Sequence, residues 1–365
     1  MCLLPNAGSF GMAVSTAMIF GLVSLMFLDT SINMAMQPFK MMVGDMVNEK
    51  QKGLAYSIQS FLCNAGSLVG FLFPFIFTWI GISNIAPQGV VPDSVIYSFY
   101  IGAAILILCV IYTTVKVKEM PPAEYAEYHG ITEEEKKEKI NMVKLLVKAP
   151  KAFWTVGLVQ FFCWFAFMFM WTYTNGSVAA NVFDAPTVET VVNGANKVVL
   201  DTKSIQYQNA ADWVGVLFAV QAIGSVLWAV CIPMFKNRKL IYSLSLVLGG
   251  IGFISTYFVH NQYVLFISFL LIGCAWAAMP ALPFTILTNA LSGGHMGTYL
   301  GLFNGTICIP QIVAATLGGS ILALFTPKGM LPPEINMLVM AGVMLIIGAV
   351  CVYLIKETKG EQAKA

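Results

Sequence analysis

The chain has 365 residues, of which 58% are hydrophobic and only 10% are charged, with a formal net charge of +2. An ordinary soluble domain carries roughly a quarter charged residues, so these few charges cannot cover a water-facing exterior. The balance is also too small and too scattered for a nucleic-acid partner. Composition therefore points to an all-α polytopic membrane protein whose partners are the lipid bilayer and a solute.

A hydrocarbon crossing needs about 20 apolar residues, and this criterion predicts nine transmembrane spans, at about 8–34, 54–82, 96–115, 153–180, 213–235, 240–259, 263–288, 299–325 and 336–355. Lysine and arginine resist translocation and collect in cytoplasmic loops. Lys40, Lys50 and Lys52 follow the first span; Lys116, Lys118, Lys136, Lys137, Lys139, Lys144, Lys148 and Lys151 follow the third. Lys236, Arg238 and Lys239 follow the fifth, and Lys356 and Lys359 lie in the tail. The C-terminus is accordingly expected inside and the start of the first span outside. The opening MCLLPNAGSFG has no positively charged leader region, and an outside start without one raises the expectation of helices upstream.

The first predicted span contains LDTSINMAMQPFKMMVGD, residues 28–45. At 100° per residue Asn33 falls nearly in line with Asp29, Lys40 returns to within about 20° of it, and Gln37 lies on the adjoining flank. One helix face thus carries Asp29, Asn33, Gln37 and Lys40, as a lined pathway would. A carboxylate in hydrocarbon costs a few kcal/mol and marks a proton or substrate path, and burial is expected to raise its pKa toward neutrality. Asp29 is the one acid well inside a predicted span. Asp45, at the helix end, is read as a loop anchor.

The connection at about 116–152 is the one long charged segment: Pro121-Pro122 break the incoming helix, TEEE at 132–135 offers a capping start, and INMVKLLVKAP reads as a short amphipathic helix on the inner surface. It divides the chain into a partial N-terminal bundle over 1–115, a cytoplasmic linker over 116–152, a six-helix C-terminal bundle over 153–356 and a cytoplasmic tail over 357–365. The eight cysteines include no CxxC pair and read as small core hydrophobes. His129, His260 and His295 are far apart, so no metal or other cofactor is expected, and no nucleophile-base pair suggests an enzyme.

Two stretches across the linker look alike. QPFKMMVGDMVNEKQKG (37–53) and LPFTILTNALSGGHMG (282–297) share a Pro-Phe dipeptide near a helix end, a polar residue downstream (Asp45 against Asn289) and a glycine opening the next span. This reads as the parallel repeat of a two-bundle transporter. It pairs the first span with the seventh, the fourth helix after the linker, so three of twelve helices are expected to be absent before the first.

These motifs resemble those of the sucrose and maltose proton symporters, the glycoside-cation symporter type within the major facilitator superfamily. Asp29, Asn33, Gln37, Pro38 and Asp45 match the family's fourth-helix signature, and Lys40 stands where the family has arginine. WFAFMFMWTYTNG resembles its seventh helix through Trp164, Phe165, Phe167, Thr172 and Gly176, but Trp171 and Tyr173 replace two acids. GCAWAAMPALPFTILTNA and GLFNGTICIPQ resemble its tenth and eleventh helices through Gly273, Trp276, Pro283, Phe284, Asn304, Pro310 and Gln311. The resemblance implies a major facilitator fold and import of a disaccharide or glycoside with a proton, Asp29 taking the proton and touching sugar hydroxyls. With the two acids replaced, coupling leans on Asp29 or on another cation.

Aromatic platforms and amides make sugar sites, so Gln160, Trp164, Trp171, Thr172, Tyr173, Asn175, Gln221, Trp228, Trp276, Asn304 and Gln311 join the Asp29 stripe as candidate substrate-binding residues. Pro38, Asp45, Gly176, Pro283, Asn289 and Pro310 are candidates for gating or structure, and glycines 215, 224, 318 and 319 for close helix contact. The same residues allow two other readings: a non-transporting sugar sensor or incomplete transporter remnant, and an exporter of another small solute. The expected location is a cell membrane, a bacterial inner membrane on the shortness of the loops.

Overall fold

A computed structural model describes residues 14–46, 49–82, 91–118, 121, 124, 142–147, 149–192, 195–235, 237–290, 296–327 and 329–355. The chain divides into two compact units, Met1–Lys136 and Lys137–Ala365.

The first unit contains α1 (Val14–Met46), α2 (Glu49–Ile80) and α3 (Asp93–Lys116). Helix α1 runs beyond the apolar span through Pro38 to Met46, consistent with Asp45 lying at the helix end. Its polar residues lower the mean hydropathy without breaking the backbone ladder. Helix α3 starts after Pro92 with Asp93 in its first turn, where a carboxylate complements the helix dipole. It ends at Lys116 with Val117 extended, ahead of the predicted breaker at Pro121-Pro122. The TEEE start at 132–135 lies outside the described residues.

The second unit opens with α4 (Met142–Val147), the six-residue counterpart of the predicted amphipathic helix. Tyr299 Oη holds it by donating to the Leu145 carbonyl at 3.3 Å. There follow α5 (Lys151–Asn181), strands β1 (Thr187–Val192) and β2 (Ala195–Leu200), α6 (Ile205–Cys231), α7 (Arg238–Ser255), α8 (Leu265–Ala290), α9 (Met296–Phe303), α10 (Gly305–Phe325) and α11 (Ile335–Cys351). Ser204 caps α6, its Oγ accepting from Tyr207 N at 3.3 Å. Asn237 caps α7, accepting from Lys239 N and Leu240 N, each at 3.1 Å. The β1–β2 pair is an antiparallel hairpin with Thr187 opposite Leu200 and Val192 opposite Ala195, where the sequence analysis has only a loop. The chain between the strands reads Asn193-Gly194, the dipeptide most strongly associated with two-residue hairpins.

Among the described residues seven helices are long and apolar enough to cross a membrane, against nine expected. Among the described residues, helices α1 and α2 contain the shorter apolar stretches Ile19–Ile32 and Leu62–Phe73. Helix α6 begins at Ile205 rather than near 213, which brings Asp212 inside a crossing segment and corrects the reading of Asp29 as the one acid there. The seven described cysteines are free thiols, but Cys63, Cys109 and Cys308 are exposed. The core reading holds for buried Cys163 and Cys274 and for Cys351, which packs against the core.

In the second unit, α5 and α8 form the interior, with 61% of each apolar window buried against 17% for the span containing α10. Helix α5 packs on α10 and α11, and α8 on α6 and α7. Fully buried Phe153, Phe167, Phe169, Tyr242, Phe253 and Phe269 fill the space between them. Large side chains elsewhere, such as Leu227 and Val230, point outward, as lipid contact requires. Helices α6 and α8 touch backbone to backbone. A Cβ at Gly224 would lie 2.6 Å from the Leu270 carbonyl oxygen, and one at Gly273 would lie 2.8 Å from Ser225 N. Close approach through small residues is how membrane helices gain dispersion contacts when lipid is as apolar as leucine. Gly318 is likewise filled, by the Tyr173 phenol, but Gly319 faces open space, which corrects its assignment to a contact.

Gly273→Ala should therefore force α6 and α8 apart and cost about 1–3 kcal/mol, read as a lowered thermal midpoint of the detergent-purified protein. Gly319→Ala should leave the midpoint unchanged.

Candidate substrate site in the second unit

The seventh-helix motif lies on α5, and its polar residues form a stripe. Gln160, Trp164 and Trp171 recur at i, i+4 and i+11, within about 40° of one another around the helix. Gln160 is fully buried. Its Nε2 donates to the Met279 carbonyl of α8 at 3.1 Å. The reason this carbonyl is available lies four residues on: Pro283, inside α8, has no N–H to return to it. Pro283 thus fixes the Gln160 amide rather than marking a helix end. Pro280, also inside α8, similarly withdraws the usual donor for the Trp276 carbonyl.

Trp276 closes the site from α8. Its ring meets Trp164 edge-on at 5.9 Å and Trp171 edge-on at 5.9 Å. Phe167 lies 5.1 Å from Trp276 and backs the cluster. Trp171 is 40% exposed, so one side of the aromatic wall is open. Two buried polar atoms here have no hydrogen-bond partner, Gln160 Oε1 and Trp164 Nε1. One is an acceptor and the other a donor. An unmet buried polar group costs about 1–3 kcal/mol, and in hydrocarbon no water stands by to relieve it.

The other candidates divide. Thr172 Oγ1 returns to the Met168 carbonyl of its own helix at 2.8 Å, and Tyr173 packs into α10 at Gly318. Trp228 Nε1 donates to Ser245 Oγ at 2.8 Å and ties α6 to α7, which makes it structural. Gln221 is buried on α6 near the Gly273 seam. Asn304 stands between α9 and α10 and donates to Cys308 Sγ at 4.0 Å. Pro310 is buried in α10 and Gln311 half-buried beside it. None of these joins the tryptophan cluster. In the first unit Asp29 is exposed on α1. The side chains of Asn33, Gln37, Pro38, Lys40, Asp45 and Asn289 lie outside those described.

At the C-terminal end of α5 a second polar group assembles. Asn175 Nδ2 donates to the Tyr207 hydroxyl of α6 at 2.9 Å, and Asn175 Oδ1 is buried without a partner. Gly176 is opposed by the Glu334 carboxylate, which a Cβ there would overlap. Burial pushes the Glu334 carboxyl from 4.5 up to about 7. In the sequence Glu334 precedes the last apolar run and reads as loop, so nothing there marks it.

The Major Facilitator Superfamily profile matches residues 2–195 and 179–365. The chain belongs to the major facilitator superfamily. It is thus a multi-pass membrane transporter. No curated protein matches it. Among solved structures it is similar to a bacterial homologue of the human lysosomal transporter Spinster, in an inward-facing and occupied conformation, with 16% identity, 87% of this chain and 72% of that chain covered, and a TM-score of 0.48.

Trp164→Phe removes an N–H that bonds nothing in the protein, whereas Trp228→Phe removes one bonded to Ser245. The second substitution should destabilise by about 1 kcal/mol more than the first, measured by thermal unfolding of the two variants side by side.

Proposed function

We propose that this transporter imports a disaccharide or related glycoside together with a proton, by alternating access between two helix bundles. The observation that carries the reading is the pair of open buried atoms, Gln160 Oε1 and Trp164 Nε1, within a tryptophan-walled site. A sugar hydroxyl both donates and accepts, so one ring satisfies both atoms. The apolar face of a pyranose meets Trp276 or Trp171. A drug-like apolar cation would satisfy neither atom and would find no carboxylate in this cluster.

In this reading Asp29 takes the coupling proton, on a helix face shared with Asn33, Gln37 and Lys40. A neutral sugar brings no charge of its own, so the driving force must enter through an ion at a titratable group, and Asp29 is the acid of the polar stripe. Gln221, Asn304 and Gln311 contribute in other stages of the cycle, when the helices have moved. The lysine distribution places the C-terminus in the cytoplasm, and the short loops suit a bacterial inner membrane.

The test is uptake of labelled maltose, sucrose and trehalose into vesicles with and without an imposed proton gradient. Gln160→Ala should raise KM about tenfold, the loss of about 1.4 kcal/mol of hydrogen bonding. Asp29→Asn should abolish gradient-driven accumulation while leaving sugar binding. Gradient-independent uptake that is unchanged in Asp29→Asn would overturn the coupling role, and binding without accumulation by the unmutated chain would turn the reading to a sensor.

A further inference from the structure

Glu334 occupies the position just before α11, after Pro332-Pro333, where an acid ordinarily caps the helix. Its side chain makes no capping hydrogen bond. It lies instead across α5, in the space left by the missing side chain of Gly176. No hydrogen bond or ion pair compensates the carboxylate among the described residues; loss of water is the cause of its raised pKa.

The titratable groups facing it are the phenols of Tyr173 on α5 and Tyr207 on α6, both within electrostatic reach. Helices α7 and α10, which also touch α11, bring no charged group to it among the described residues. Asn175 beside it has spent its Nδ2 on Tyr207 and keeps a buried, unpartnered acceptor. Among the described residues the cluster brings no positive charge to the carboxylate. An ionised carboxylate adds one more acceptor and an uncompensated charge. A protonated one supplies an O–H and removes the charge.

We propose that Glu334 is a proton-binding site of this transporter in addition to Asp29, protonated while α11 lies closed on α5 at Gly176 and ionised when the contact opens to water. Its role in transport rests on the proton-coupled reading above, but proton binding itself is measurable without transport. With the carboxyl at about 7 rather than 4.5, the folded protein holds a proton that the unfolded chain releases between those values. Stability therefore falls as pH rises through that window and is lowest above it.

The experiment is an infrared pH titration of the purified full chain in lipid, following the carbonyl band of protonated carboxylic acid. The expected result is a band lost with a midpoint near pH 7, kept in Asp29→Asn and absent in Glu334→Gln. In Gly176→Ala, whose methyl displaces the carboxylate, the midpoint should move down toward 4.5. Because Glu334→Gln resembles the protonated form, it should fold, and its thermal midpoint should lose the fall between pH 4.5 and 7. A band persisting unchanged in Glu334→Gln, or a wild-type chain with no carboxyl titrating near 7, overturns the proposal. Proton-driven uptake without such a band would remove the Glu334 site and leave symport standing. A Glu334 band with uptake indifferent to the gradient would do the reverse.

Discussion

Within hydrocarbon a backbone amide or a polar side chain has no water to fall back on, so each must be met inside the protein. The chain meets the backbone requirement by helix and arranges its polar side chains between helices. Ser243 Oγ donates to the Ala349 carbonyl at 3.1 Å, and Ser255 and Ser268 share a hydrogen bond at 2.8 Å. With apolar surface equally content in lipid, shape does the remaining work, and the backbone contact of α6 with α8 exists because glycines stand on both sides of it. In such an interior a polar atom without a partner is conspicuous.

Proline and glutamine illustrate how that accounting builds a site. Pro283 takes a donor away from α8, and the freed Met279 carbonyl claims one side of the Gln160 amide. An amide held by its nitrogen has its oxygen pointed elsewhere, and here that oxygen is buried without a partner. A defect in one helix thereby orients a hydrogen-bonding group on another. The tryptophans around it exclude water and keep the value of any hydrogen bond made there high.

Helix α5 carries both polar groups of the second unit. Gln160 and Trp164 face α8 along its middle, while Asn175 and Gly176 meet α6 and Glu334 near its end. One helix thus joins the tryptophan cluster to a carboxyl at the start of α11. Asp29, on the first unit, is a different kind of acid, exposed on a long helix rather than pressed against a glycine. The two carboxylates are not interchangeable, and burial is what separates them.

The amino-acid sequence by itself determined the membrane class, the placement of most helices and the superfamily, because hydrocarbon sets their length and composition. It also singled out Gln160, Trp164 and Trp276, of which Trp164 and Trp276 meet in the aromatic cluster. It did not yield the true start of α6, since a few polar residues lower hydropathy without ending a helix, and it passed over the β1–β2 hairpin. Only tertiary structure decided that Trp228 is bound to Ser245 while Trp164 is left open, because an indole N–H reads the same in sequence whether or not a partner faces it. Only tertiary structure, too, singled out Glu334: what takes its carboxyl from water is Gly176, 158 residues away along the chain, and no periodicity within one helix can announce a neighbour supplied by another.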